Sequence, residues 1–203
     1  MFRADLHIHS RFSRATSSRL TIPHLAAWAG AKGIDVLATG DFTHPAWRQE
    51  LRDALEEDEN TGLLRLKTPL GQQDVAREIP QLAGMEARDP LFMLEAEISS
   101  IYKKNGAVRK IHSLVYVPDF ASADRLCEKL EAIGNLKSDG RPILGLDVKD
   151  LLAMVLDIPR AYMIPAHIWT PWLALIGAKP DFDSLREGFE EFTSQRFPAE
   201  NGI

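Results

Sequence analysis

Histidines and acidic residues lie at the ends of short apolar segments that are typical of buried strands. Imidazole and carboxylate groups together suit Zn²⁺, Mn²⁺ or Fe²⁺, with Mg²⁺ as a further candidate. In α/β folds the carboxyl ends of parallel strands share one edge of the sheet, so residues distant in sequence converge there. The residues placed in this way are the histidines His7, His9, His44, His112 and His167 and the acids Asp41 and Glu97. Their placement predicts a cluster of divalent metal ions.

Two of these segments give the cluster its chemical basis. His7 and His9 are two residues apart, so in a strand both imidazoles point to the same face, and Asp5 shares that face as a residue that could orient a ligand. Glu97 lies in an apolar run, where an ionised carboxylate needs a charged partner such as a metal ion or an arginine. Each residue taken alone also has a plain structural interpretation: a hydrogen-bonded strand histidine, or a turn or helix cap for Asp41.

Clustered metal ions indicate metal-assisted hydrolysis, because they lower the pKa of a bound water and stabilise the attacking and leaving oxygens. The chain has neither the Gly-x-Ser-x-Gly motif of serine hydrolases nor a glycine-rich phosphate loop. Two groups of basic residues are candidates for binding substrate phosphate. They are Arg11, Arg14 and Arg19 near the first histidines, and Lys104 and Lys110 around a predicted hairpin. Trp169 and Trp172 follow His167 and are suited either to stacking on a nucleobase or to packing.

Composition limits the class of protein. The chain has 203 residues, 45% of them hydrophobic, and a net charge of −5, so any contact with nucleic acid must use a local basic patch. The one cysteine, Cys127, excludes a disulfide framework, and no apolar run is long enough to span a membrane. The sequence starts directly in a strand-like segment, without a signal peptide. We therefore expect a cytoplasmic α/β protein.

Strands and helices are predicted to alternate, which favours a mostly parallel sheet that could close into a barrel, with an irregular insertion at about 60–90. Five strands are predicted, at 2–9, 34–38, 91–99, 110–117 and 161–166. Helices are predicted at 21–32, 46–57, 123–133, 148–156 and 183–192.

Five stretches resemble the PHP (polymerase and histidinol phosphatase) family of metal-dependent phosphoesterases. They are Asp5-Leu-His-Ile-His-Ser10, Ala38-Thr-Gly-Asp-Phe-Thr-His-Pro45, Leu94-Glu-Ala-Glu-Ile-Ser99, Lys110-Ile-His-Ser-Leu-Val-Tyr116 and Ile164-Pro-Ala-His167. The first two are similar to the endonuclease Q branch, whose members resemble DNA repair nucleases that nick beside deaminated or abasic nucleotides. The resemblance implies a distorted (β/α)7-type barrel with up to three metal ions.

The resemblance also implies a role for each candidate residue. The first metal is assigned to His7 and His9, the second to His112 and His167, and Glu97 bridges the two. Asp41 is assigned to the third metal, and the candidate catalytic residues are Glu97, His44 and Arg14.

The chain departs from the family pattern in one important respect. The late Asp-x-His motif that closes the family's site is missing, so we expect one PHP domain over 1–203 that is incomplete at its C-terminus. The leading prediction is a nuclease with DNA as its partner. The alternatives are a histidinol-phosphatase-like phosphomonoesterase acting on a small metabolite, a metal-binding module without activity, and, more remotely, an amidohydrolase, for which no bridging lysine is evident.

Overall fold

The computed structural model describes residues 1–85, 88–176, 182 and 184–190. These residues form a mixed α/β fold in which an eight-stranded sheet curls into a half-barrel and helices pack against it. The strands are β1 (Ala4–Asp5), β2 (Val36–Ala38), β3 (Leu55–Glu57), β4 (Leu64–Leu66), β5 (Leu91–Lys104), β6 (Ala107–Val117), β7 (Ile143–Leu144) and β8 (Tyr162–Pro165). The helices are α1 (Ile22–Lys32), α2 (Pro45–Ala54), α3 (Gln72–Glu78), α4 (Phe120–Glu131), α5 (Val148–Leu156) and α6 (Leu185–Phe189), with a 3₁₀ helix at Pro80–Leu82.

The sheet is mixed rather than mostly parallel. Strands β1, β2 and β5 are parallel, as expected, but β6 pairs antiparallel with β5 along its whole length, and β8 pairs antiparallel with β6. The cause is the tight turn at Asn105-Gly106, where both residues adopt a positive φ and the chain folds straight back. Because β5 and β6 are long, they extend well beyond the neighbouring strands.

Several predicted boundaries were wrong, and the missed strands share a cause. The first strand covers only Ala4–Asp5, while β3, β4 and β7 were not predicted as strands. Strands of two or three residues are too short to show the alternation of polar and apolar residues on which a sequence prediction depends. The segment predicted as an irregular insertion contains β4 and α3, and the predicted helix over 46–57 ends at Ala54. Five of the ten positions of the predicted last helix form α6; position 183 and positions 191–192 fall outside the described residues.

Local signals at the helix ends agree better with the structure. Helix α1 has Pro23 in its first turn and ends at Gly33, whose φ of 68° is in the left-handed region that glycine tolerates. Helix α5 begins after Asp147, whose carboxylate accepts a hydrogen bond from the Lys149 backbone N–H.

Trp47, Phe42 and other wholly buried apolar side chains fill the core between the helices and the sheet. No helix among the described residues is long and apolar enough to cross a membrane.

Candidate metal centre

Five predicted ligands meet in two groups that share one carboxylate. The first group is His7, His9 and Glu97, and the second is Glu97, His112 and His167. Within each group the candidate ligand atoms lie within 4.8 Å of one another. These residues come from four different segments of the chain, so the fold and not the local sequence creates the pocket.

The separations between the donor atoms suit first-row divalent ions. Glu97 Oε1 lies 3.7 Å from His7 Nε2, 3.0 Å from His112 Nδ1 and 3.3 Å from His167 Nε2, and Glu97 Oε2 lies 3.5 Å from His9 Nε2. Four donors placed tetrahedrally about 2.1 Å from a zinc ion are about 3.4 Å from one another. The observed distances bracket that value, so the residues present fit a metal ion in each group.

Strand register explains why these side chains meet. Glu97 and Ser99 are two residues apart on β5, so their side chains lie on the same face of the strand. His112 on β6 lies directly opposite Ser99. His167 follows β8 with a φ of 32°, and its Nδ1 lies 3.2 Å from the hydroxyl of Thr170. That contact directs its Nε2 toward Glu97.

Glu97 carries a full negative charge in the pocket although it is only 1% exposed. Burial by itself raises the pKa of this carboxyl, but the hydrogen bond and charge of His112, the hydrogen bond from Arg141 and the charge that His7 carries when it is protonated at acidic pH outweigh it. Together they lower the pKa of Glu97 to about 2. The expectation that this buried carboxylate needs charged partners is therefore met by imidazoles and by one arginine.

Asp41 belongs to neither of the two groups found among the described residues. Its Oδ1 lies 3.1 Å from His9 Nδ1, and its Oδ2 accepts hydrogen bonds from the Ser10 N–H at 2.7 Å, the Ser10 hydroxyl at 2.6 Å and the Ser13 hydroxyl at 2.9 Å. The contact raises the pKa of His9 and leaves its Nε2 facing Glu97. A carboxylate placed behind a histidine in this way fixes the ring orientation of a metal ligand.

His44 also lies outside both groups. It caps helix α2, where its Nδ1 accepts a hydrogen bond from the Trp47 backbone N–H at 3.5 Å, and its ring stacks on Phe12 with 4.3 Å between centroids. Burial lowers the pKa of His44. These contacts give it a structural role, and its predicted catalytic role remains untested.

The predicted phosphate-binding residues are spread over the surface, most of them with partners. Arg11 pairs with Glu50 at 2.6 Å, and Arg19 donates to the Glu78 carbonyl at 2.8 Å. Arg14 pairs with Asp139 at 3.2 Å, yet its side chain is 82% exposed.

The two lysines of the hairpin differ from each other. Lys104 Nζ lies between Asp147 at 3.0 Å and Glu190 at 2.6 Å, so it holds the hairpin against the helices. Lys110 is exposed on β6.

Two notable residues in or near the pocket were not singled out from the sequence. Arg141, whose Nη1 donates to Glu97 Oε2 at 3.1 Å, lies in a loop with no motif around it. Glu95 is wholly buried two residues from Glu97, and neither oxygen has a hydrogen-bond partner among the described residues. The apolar residues around Glu95 on β5 could have identified it from the sequence, because a carboxylate in an apolar strand needs a charged or hydrogen-bonding partner.

No protein-family model matches the chain. An uncharacterized protein of Methanocaldococcus jannaschii is 26% identical over 173 residues, which is 85% of this chain and 17% of that protein.

Two solved structures share the fold. The crystal structure of the lesion-specific endonuclease PfuEndoQ from Pyrococcus furiosus matches with a TM-score of 0.71 and 27% identity, over 94% of this chain and 40% of the other. A complex of endonuclease Q with a 27-mer duplex substrate carrying an abasic lesion at the active site matches with a TM-score of 0.71 and 28% identity, over 93% and 40%. The chain therefore resembles part of endonuclease Q, and spans well under half of each of these relatives.

Proposed function

We propose that this chain is a metal-dependent phosphodiesterase that nicks damaged DNA, as part of an endonuclease Q-like nuclease. The observation that carries the proposal is the carboxylate of Glu97, which belongs to two groups of imidazoles at once. A carboxylate shared in this way suits a two-metal site, and such sites serve phosphoester hydrolysis. We further propose that 1–203 form one domain of the PHP barrel type.

The chain's own residues would prepare the pocket in three ways. Glu97 enters the reaction already ionised, because its pKa is about 2, so it binds cations without first losing a proton. His7, whose pKa is lowered by burial, presents a neutral nitrogen near neutral pH. Asp41 holds His9 with Nε2 toward Glu97. Divalent ions bound there would supply a water of lowered pKa and positive charge for the phosphate.

DNA is the proposed substrate because the structural neighbours are endonuclease Q and its duplex complex. Arg14 and Lys110 provide exposed positive charge, which suits contacts with backbone phosphates. Trp169 is 75% exposed and Trp172 64% exposed, close after His167. Aromatic rings in this position suit stacking on an unpaired base. These local features supply the positive charge and the stacking surface for DNA that the net negative charge of the chain does not provide.

A nicking assay tests the proposal. Duplex oligonucleotides carrying one abasic site or one deaminated base are incubated with the purified chain and Mn²⁺, Zn²⁺ or Mg²⁺, with EDTA and undamaged duplex as controls. We expect a single metal-dependent nick at the lesion that is lost in Glu97→Gln and retained in Glu56→Gln, a surface variant on β3. Hydrolysis of a phosphomonoester without DNA cleavage would favour the phosphatase alternative. Metal binding without hydrolysis of either substrate would contradict the proposed activity.

A further inference from the structure

Arg141 donates a hydrogen bond into the metal pocket from outside both ligand groups. Its Nη1 lies 3.1 Å from Glu97 Oε2, on the side of the carboxylate that faces His9. The Arg141 side chain is 34% exposed, so the guanidinium lies at the boundary between the buried carboxylate and solvent. An arginine in this position is open to an incoming substrate.

The loop that carries Arg141 is held firmly on both sides. Gly140 N–H donates to the Phe12 carbonyl at 2.9 Å, and the Ser99 N–H donates to the Pro142 carbonyl at 3.0 Å. A Cβ at Gly140 would overlap with the carboxylate of Asp41, so only glycine lets the loop come this close. The Arg141 backbone N–H donates to Asp139 Oδ1 at 3.1 Å. The backbone of Arg141 is therefore fixed beside the metal pocket before any ligand arrives.

Asp41, the residue predicted to bind a third metal ion, has little capacity left for one. Its Oδ2 accepts from three donors and its Oδ1 contacts His9, while the whole side chain is buried. Each carboxylate oxygen offers about two lone-pair positions, so Oδ2 is saturated. On this side of Glu97, Arg141 supplies a permanent positive charge beside the His9 imidazole.

We propose that Arg141 takes the place of a third metal ion: the pocket holds two divalent cations, and the Arg141 guanidinium binds the substrate phosphate beside them. This inference rests on the proposed function. Two dications bound to Glu97 would satisfy its charge and release the guanidinium for an anion. Its planar set of N–H donors matches two phosphate oxygens, a geometry that lysine cannot reproduce.

The test measures metal content and phosphate binding rather than turnover. Wild type, Arg141→Gln and Arg141→Lys are loaded with Mn²⁺, dialysed free of excess metal, analysed for metal per chain, and titrated calorimetrically with inorganic phosphate. Arg65→Gln, which alters an exposed arginine on β4 that pairs with Glu56, is the matched control. We expect two ions per chain in all four proteins. Phosphate should bind at least roughly tenfold more weakly to Arg141→Gln, with Arg141→Lys in between, since hydrogen bonds to charged groups contribute at this level.

The outcomes separate this inference from the function on which it rests. A wild-type chain that takes up no divalent metal would overturn both. Three ions per wild-type chain would overturn the inference alone, and so would two ions together with equal phosphate affinity in wild type and Arg141→Gln. Should Arg141→Gln fail to fold, the same comparison with Arg141→Lys decides, because that variant keeps the charge and loses only the paired donors.

Discussion

Replacing Glu97 by Gln should weaken the binding of both metal ions at once. The side chain keeps its size and loses the charge on the one carboxylate that contributes to both ligand groups. Loss of a hydrogen-bond partner behind a ligand costs about 10–100-fold in metal affinity, so loss of a bridging ligand should cost at least about 100-fold for each ion.

In the metal-free protein, the pKa of Glu97 falls from 4.5 to about 2, which corresponds to roughly 3 kcal/mol of stability. That contribution is present above pH 4.5 and disappears as the pH falls toward 2.

The assay is a calorimetric titration of the metal-free chain with Zn²⁺ and with Mn²⁺, with thermal melting to confirm that each variant is folded. His7→Ala and His112→Ala should each weaken the binding of one ion and leave the binding of the other unchanged, because each histidine belongs to one group only. Glu56→Gln, an exposed change on β3, should bind as wild type does. If Glu97→Gln lost only one ion, or if both histidine variants lost two, the shared-carboxylate account would be refuted.

Three further predictions follow from buried polar groups. Asp41→Asn should weaken binding of the ion nearest His9 by about 10–100-fold without changing the number of ions at saturation, as metal titration would show; unchanged affinity would exclude an orienting role. Burial and the charges of Asp41 and Glu97 raise the pKa of Glu95 well above its ordinary value, so the folded protein holds a proton that the unfolded chain releases. Above pH 5, wild type should therefore lose stability relative to Glu95→Gln by up to about 1.4 kcal/mol per pH unit until the raised pKa is reached; a difference in melting temperature between the two proteins that does not grow between pH 5 and 6 would contradict this. Burial raises the pKa of the Cys127 thiol to about 12, so Ellman's reagent at pH 8 should not modify the folded chain and should detect one thiol after unfolding.

The sequence predicted that His7, His9, Glu97, His112 and His167 would come together, and the structure brings them together; that they bind metal stays a prediction. The rule that side chains at the carboxyl ends of parallel strands share one edge applies to His167, which follows β8, whereas His112 meets Glu97 through the antiparallel register of the β5–β6 hairpin. That rule needs only the approximate position of each strand. The prediction therefore survived errors in strand boundaries, such as the first strand covering only Ala4–Asp5.

What could not be predicted depends on tertiary contacts. The hydrogen bonds of Asp41 with Ser10 and Ser13 depend on how two loops meet, and its role as a ligand of a third metal ion, which the family resemblance implies, stays a prediction. Arg141 reaches Glu97 only because Gly140 packs against Asp41, and no periodicity or motif records such a contact. The β5–β6 hairpin was predictable only in part: the sequence indicated its turn at Asn105-Gly106, but not that its antiparallel pairing would make the whole sheet mixed.

The most direct test of the two-metal account is a crystal structure of the chain grown with Zn²⁺, with anomalous data collected on both sides of the zinc absorption edge. The account predicts two peaks near Glu97, one about 2.0–2.2 Å from nitrogens of His7 and His9 and the other at the same distance from nitrogens of His112 and His167. No peak in this pocket, or peaks that leave Glu97 uncoordinated, would contradict it.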